Sequence, residues 1–260
     1  MTISEKDVFS NMCGDVVGHR TDNFLVHAKE SIGSKALPFE VPIAPFMAWF
    51  EAQHGQKGAA MAVDTDPFRS EHATVIKPFL PLKMGYATSA TAQAAQYAAL
   101  VASPDVATIC EIGFNAGHSA LHFLQANPQA QLISFDLDEL PVTNVVEKWM
   151  KEKFPNRFEF VKGDSVHTVP QYFSEHRDVH CDFVSVDGGR SASEVAADIS
   201  NFAASARSGA VIAVDDTPCS AEFCKGPTTA WDNAVAQEVL LPLGRVKMSA
   251  NRGFSVATFK

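Results

Sequence analysis

A chain of 260 residues, 46% hydrophobic and 20% charged, is long enough to bury a core without covalent staples and too apolar to stay disordered. Its net charge of -9 at pH 7 comes with no dense Lys/Arg run, which speaks against a basic, phosphate-tracking surface and so against nucleic acid as a partner. No apolar run approaches the roughly 20 residues of a membrane span, and Met1–Asp7 lacks the basic-then-apolar order of a secretory signal.

The five cysteines are Cys13, Cys110, Cys181, Cys219 and Cys224. Their number is odd and no CxxC pair occurs. Cys110 and Cys181 sit in apolar, strand-like runs, where a free thiol behaves as a small hydrophobe. The expectation is a cytoplasmic protein in a reducing compartment, without a disulfide framework or thiolate zinc site. Cys219 and Cys224 flank a loop and are not expected to hold a metal.

Residues 1–83 read as a mainly helical and loop extension, or lid, that packs on a core formed by 84–260. Pro38, Pro42 and Pro45 punctuate the extension. Residues 43–54 suit one helix with Phe46, Trp49 and Phe50 on its apolar face. Residues 63–82, with Pro67, Pro78 and Pro81, read as a loop. From Thr88 the pattern becomes regular. Thr88 or Ser89 can cap a helix to about Ala102. Strands are expected at 106–112, 131–135, 158–161, 182–186 and 210–214, with helices at 117–126, 140–153, 168–175, 191–205 and 229–240. Residues 246–249 and 254–259 complete the pattern as a hairpin around Asn251-Arg252-Gly253. Strands alternating with helices imply an α/β, Rossmann-like three-layer sandwich: a mostly parallel seven-stranded sheet with an antiparallel last strand.

The first strand leads into Glu111-Ile112-Gly113-Phe114-Asn115-Ala116-Gly117-His118-Ser119. Gly113 and Gly117 let the backbone pass close to a ligand and open a helix whose free N–H groups face the same crevice. The spacing is GxNxG, not the GxGxxG of dinucleotide folds, and a tight turn without ligand would read alike. The second strand ends in Asp136, with Asp138 beyond. A carboxylate there can grip a ribose diol, or simply cap the next helix. The third strand ends in Gly163-Asp164-Ser165, which can hydrogen-bond an adenine edge or serve the turn. Three polar strand ends at one crevice are more specific than any one, because ligands bind there in open α/β sheets.

Asp187 ends the fourth strand, and Asp215-Asp216 ends the fifth. Carboxylates converging on one crevice repel unless something offsets their charge. A hard divalent cation does so, and it can also lower the pKa of a bound hydroxyl. The alternative is that Asp187 contacts only the ammonium of a cofactor, while Asp215-Asp216 caps a loop.

Over residues 84–260 the motifs EIGFNAGHS, ISFDLD, VKGDS, DFVSVDGGRSASEVAADI and GAVIAVDD resemble those of class I S-adenosylmethionine-dependent methyltransferases. The likeness is greatest to the small-molecule O-methyltransferases of the macrolide-sugar and catechol types. The resemblance implies that Glu111, Gly113, Asn115 and Gly117 line the methionine part of the cofactor, with Ser119 near its carboxylate. Asp136 would hold the ribose, and Asp164 and Ser165 would lie beside adenine. Tyr86 and Ser89 belong to the segment that closes over the cofactor. Asp187, Asp215 and Asp216 would bind a divalent metal, magnesium in the family's terms, with Asp187 and Asp215 as catalytic residues. The sugar-modifying relatives usually read DGDH where this chain reads Asp187-Gly188-Gly189-Arg190, so a candidate base is replaced by Gly189. His118, His167 and Lys162 are conceivable bases. Arg190 could pair with an acceptor's carboxylate or phosphate, or with a protein acid.

Trp49, Phe50, His54, Phe79, Phe223 and Trp231 are candidate acceptor-pocket residues, and aromatics of this kind also serve as core. Lys225-Gly226-Pro227 reads as a mobile loop. The implied activity is methyl transfer to a small-molecule acceptor, at a hydroxyl assisted by a metal. A metal-independent N- or S-methyltransferase and a non-catalytic cofactor-binding module are the alternatives. The oligomeric state stays open.

Overall fold

The computed structural model describes residues 67–78, 91–249 and 251–260. Seven strands form one sheet: β1 (Thr108–Ile112), β2 (Gln131–Asp136), β3 (Phe158–Lys162), β4 (Phe183–Val186), β5 (Val211–Asp215), β6 (Leu240–Ser249) and β7 (Arg252–Phe259). Their spatial order is β3-β2-β1-β4-β5-β7-β6. Neighbours from β3 to β5 are parallel, and β7 is antiparallel to both β5 and β6. The helices are α1 (Pro67–Ile76), α2 (Thr91–Val101), α3 (His118–Ala126), α4 (Pro141–Lys153), α5 (Ser165–Glu175), α6 (Ala192–Ala203) and α7 (Lys225–Ala236). The expected α/β sandwich with its antiparallel strand is present. Among the described residues, no helix is long and apolar enough to cross a membrane.

Alternation along the strands builds two cores. Ile109, Leu132 and Ala213 face one side, where Tyr97, Phe123, Val146 and Met150 of α2, α3 and α4 cover them. Cys110, Ile133, Phe135, Ile212 and Val214 face the other, against Phe173, Ile199, Phe202 and Trp231 of α5, α6 and α7. A side-chain period of two on a sheet covered on both faces explains why these strands read as apolar throughout.

Some elements differ from expectation. Pro67–Ile76 is a helix, not a loop. Proline suits a first helical position, where its missing N–H costs no bond. α5 starts at Ser165 because Asp164 caps it, accepting from the Val166 N–H at 3.0 Å. Lys225-Gly226-Pro227 is the first turn of α7, not a loop, and β6 begins six residues before the expected Val246. Pro242 within it is tolerated because β6 is an edge strand. The expected free thiols are paired instead, Cys110 with Cys181 and Cys219 with Cys224. β1 and β4 are adjacent, which brings the Cα atoms of Cys110 and Cys181 to 5.8 Å across 71 residues of sequence, a proximity that spacing alone does not reveal. Of the extension, α1 packs on α4. The expected 43–54 helix and the helix cap at Thr88 or Ser89 lie outside the described residues.

Candidate functional site

The carboxyl ends of β1 and β4 diverge at the point where the strand order reverses, the usual ligand crevice of an open α/β sheet. A cleft of about 310 Å³ opens there. The β1–α3 turn contributes Gly113, Phe114, Asn115, His118 and Ser119. Asp187, Gly188 and Arg190 follow β4, Asp215 and Asp216 come from β5, and Phe223, Asn251 and Arg252 complete the rim.

The turn is held from below. Gly113 has φ 97°, and a Cβ there would sit 2.1 Å from the Asp187 carbonyl oxygen, so only glycine lets the two strand ends approach. Glu111 is buried and accepts hydrogen bonds from the hydroxyls of Ser119 and Ser134. Burial pushes its carboxyl up to about 7, against the pull of the two serines. Asp136 accepts the Asn115 N–H at 2.9 Å and the Asp138 N–H at 2.8 Å. Each of its oxygens keeps a second lone pair for a ligand hydroxyl.

The structure brings Gly113, Asn115, Ser119, Asp187, Asp215 and Asp216 into one cleft. Glu111, Gly117 and Asp136 support the turn from outside that lining. Asp164 is occupied as the α5 cap, and the Ser165 hydroxyl donates to Asp198 Oδ1 at 2.6 Å. Tyr86, Ser89, Trp49, Phe50, His54 and Phe79 lie outside the described residues. Trp231 is core, whereas Phe223 is exposed at the cleft rim.

The acids behave as a strained group. Burial, then the Asp215 and Asp216 carboxylates, push the Asp187 carboxyl well above its usual range. Burial and then Asp216 raise Asp215 to about 7, although Gln93 Nε2 donates to its Oδ1 at 2.6 Å. Asp216 is raised less, because Arg190 opposes its burial. Arg190 Nε donates to Asp216 Oδ2 at 3.0 Å, and its guanidinium carbon lies 4.8 Å from the Phe223 ring centre. Arg190 therefore pairs with a protein acid. A Cβ on Gly189 would lie 2.7 Å from Glu194 Cβ, and Glu194 forms a capping box with Ser191 at the start of α6. An acidic side chain at 189 would displace that cap.

His118 lies in the cleft, yet burial and then His72 lower its imidazole to about 3, which leaves it neutral and a poor base at pH 7. Lys162 pairs with Asp138, and His167 is exposed; neither lines the cleft. Residues that sequence reasoning missed are Asn251, Arg252 and Gln93. The first two were legible as a hairpin turn, and an antiparallel β7 must begin where β5 ends. Nothing local marked Gln93.

The residues fit S-adenosylmethionine: Gly113 leaves backbone room, and a cation in the cleft would relieve the repulsion that raises the clustered acids and let them ionise. A divalent ion also fits in charge. Magnesium needs only one or two protein carboxylates, which Asp187 and Asp215 supply. Asp216 is engaged elsewhere. Among the described residues, its carboxylate groups with the sulfurs of Cys219 and Cys224, all within 4.8 Å of one another.

Residues 110–217 match the methyltransferase domain family. No curated protein sequence matches the chain. Among solved structures, an O-methyltransferase from Bacillus cereus in complex with S-adenosylhomocysteine aligns with a TM-score of 0.63 at 16% identity, over 79% of this chain and 96% of that one. An O-methyltransferase of tomaymycin synthesis from Streptomyces achromogenes, in complex with S-adenosylmethionine, aligns at 0.62 and 16%, over 82% and 95%. An S-adenosylhomocysteine-bound methyltransferase from Podospora anserina aligns at 0.59 and 15%, over 87% and 99%. The chain thus shares its fold with proteins solved with S-adenosylmethionine or S-adenosylhomocysteine.

Proposed function

We propose that the chain is an S-adenosylmethionine-dependent O-methyltransferase acting on a small-molecule hydroxyl. The observation that carries this reading is the cleft at the β1–β4 divergence, where the Gly113 turn abuts the Asp187 backbone and three acids face the same space. S-adenosylmethionine supplies an electrophilic methyl group on a sulfonium. Gly113 and Asn115 hold its methionine end, Asp136 receives the ribose hydroxyls, and Asp164 and Ser165 flank the adenine. Asp187 lies closest to the donor side and stabilises its positive charge. Methyl transfer is an in-line displacement, so these residues act by alignment and by excluding water. Phe223 and Arg190 form the acceptor side, with the ring as an apolar wall.

When bound by Asp187 and Asp215, a magnesium ion would orient the acceptor hydroxyl and ease its deprotonation. A second reading, metal-independent transfer, is favoured by Arg190, which already offsets the charge of Asp216. One experiment tests both. The full-length protein is incubated with S-adenosylmethionine and a panel of small molecules bearing hydroxyl, amine or thiol groups, with and without a chelator, and products are followed by mass spectrometry. The first reading expects methyl ethers whose formation stops with chelator and returns with magnesium. Unchanged turnover with chelator supports the second. Turnover confined to amines or thiols overturns both.

A further inference from the structure

Beside the cleft lies a cluster that joins one of its acids to two cysteines with no part in the proposed methyl transfer. Asp216, Cys219 and Cys224 each offer one ligand atom, and these atoms lie within 4.8 Å of one another. All three come from the short segment between β5 and α7. Asp216 follows β5 with φ 55° and is anchored by Arg190. Cys219 Sγ lies 3.6 Å from the Asp216 carbonyl oxygen. Cys224 is fully buried where a single 3-10 turn (Glu222–Cys224) meets α7, its N–H bonded to the Ala221 carbonyl at 3.1 Å. In the structure the two sulfurs are joined as a disulfide.

We propose that reduction of Cys219–Cys224 turns this segment into a site for one borderline-soft divalent cation, zinc by preference, held by two thiolates and the Asp216 carboxylate. A tetrahedral zinc ion with bonds of about 2.3 Å to sulfur and about 2.1 Å to oxygen spaces its donors roughly 3.5–3.8 Å apart; once reduced, the two sulfurs must move apart to reach that spacing, from Cα atoms that stand 5.7 Å from each other. Two sulfurs select zinc over magnesium or calcium, so this site differs in kind from the all-oxygen pair Asp187 and Asp215. Three protein ligands leave a fourth position open. Because Asp216 also lines the cleft, that position adjoins the acceptor side. The chemistry balances with a dithiol reductant: two electrons and two protons pass from the dithiol to the cystine, giving two cysteine thiols and an oxidised dithiol. Cation binding then releases the two thiol protons.

The test uses the full-length protein, oxidised or reduced with a phosphine that does not itself bind zinc as a thiol would. Zinc uptake is measured by competition with a chromogenic chelator, and cobalt(II) serves as a spectroscopic probe. The expected result is one more equivalent bound by reduced wild type than by the reduced Cys219→Ser/Cys224→Ser variant, which keeps every other cysteine. Thiolate-to-cobalt charge-transfer absorption should accompany it, and Asp216→Asn should weaken binding on the order of 10- to 100-fold. Equal uptake by reduced wild type and the double variant overturns the proposal, as does equal affinity of Asp216→Asn. If the variants fail to fold, absence of the charge-transfer band in reduced wild type overturns it alone.

Discussion

Arg190 donates through Nε to Oδ2 of Asp216 at 3.0 Å while its guanidinium lies over the Phe223 ring. The bond crosses from the β4 loop to the β5 loop and so ties together two walls of the cleft, the proposed donor and acceptor sides. Arg190 is largely exposed, 58% at its side chain, so this ion pair adds little stability. Its weight falls on the site. Arg190→Ala is expected to leave the melting temperature near that of wild type and the affinity for S-adenosylhomocysteine within about twofold, while KM for the acceptor rises roughly tenfold, the scale of one hydrogen bond to a charged group. Steady-state kinetics alongside calorimetry checks this. A loss confined to cofactor affinity would assign Arg190 to the donor side.

Gly113 has no room for a side chain. Gly113→Ala drives a Cβ into the Asp187 carbonyl at a φ of 97°, and the strand ends must part. A displacement of about 1 Å in the donor turn is expected to reduce kcat/KM on the order of 100-fold. Gly244→Ala is the control, since a Cβ there meets nothing within 4 Å; it should behave as wild type.

Asp136 holds the turn through the Asn115 and Asp138 N–H groups. Asp136→Asn keeps one acceptor but turns an NH2 toward a backbone donor. Affinity for S-adenosylhomocysteine should fall roughly 10- to 100-fold, the scale of a charged hydrogen bond, with kcat less affected. Calorimetric titration reads the change directly.

Asp198 gives a pH signature independent of catalysis. It is buried, receives the Ser165 hydroxyl, and is raised to about 7 chiefly by burial. A raised carboxyl is protonated in the fold but ionised in the unfolded chain between pH 4 and 7. The unfolded state binds fewer protons there, so stability falls as pH rises through that window. Asp198→Asn keeps an acceptor for Ser165 without the ionisation. Its advantage should widen by about 2 kcal/mol between pH 5 and pH 7, somewhat less than two full pH units' worth because the folded carboxyl begins to ionise near pH 7. Denaturant melts at the two pH values measure it, and an equal gap at both would refute the assignment.

The order of strands and helices was legible because each strand is an apolar run punctuated by glycine, proline or an acid. Gly113, Asp187 and Asp215 were legible because polar residues ending such runs must lie at one edge of a parallel sheet. Long-range partners were not. Gln93 reaches Asp215 across 122 residues and His72 reaches the Ala116 carbonyl across 44, and no local pattern encodes either. Cys110 and Cys181 read as free thiols because their pairing depends on β1 lying beside β4. Pro67 misled for a local reason, since a helix-starting proline and a loop proline look alike without the flanking packing. Gly189 was read as a missing base, and the fold adds the cause, a capping side chain from Glu194 where another side chain would go.

The central claim is that the cleft between Gly113 and Asp187 receives the methyl donor. A crystal structure of the full-length protein with S-adenosylhomocysteine and magnesium tests it most directly. The account predicts the cofactor's sulfur in that cleft, its ribose hydroxyls on Asp136, and its open side toward Phe223 and Arg190. A cofactor bound elsewhere, or density in the cleft that leaves Asp187 and Asp136 untouched, would contradict it.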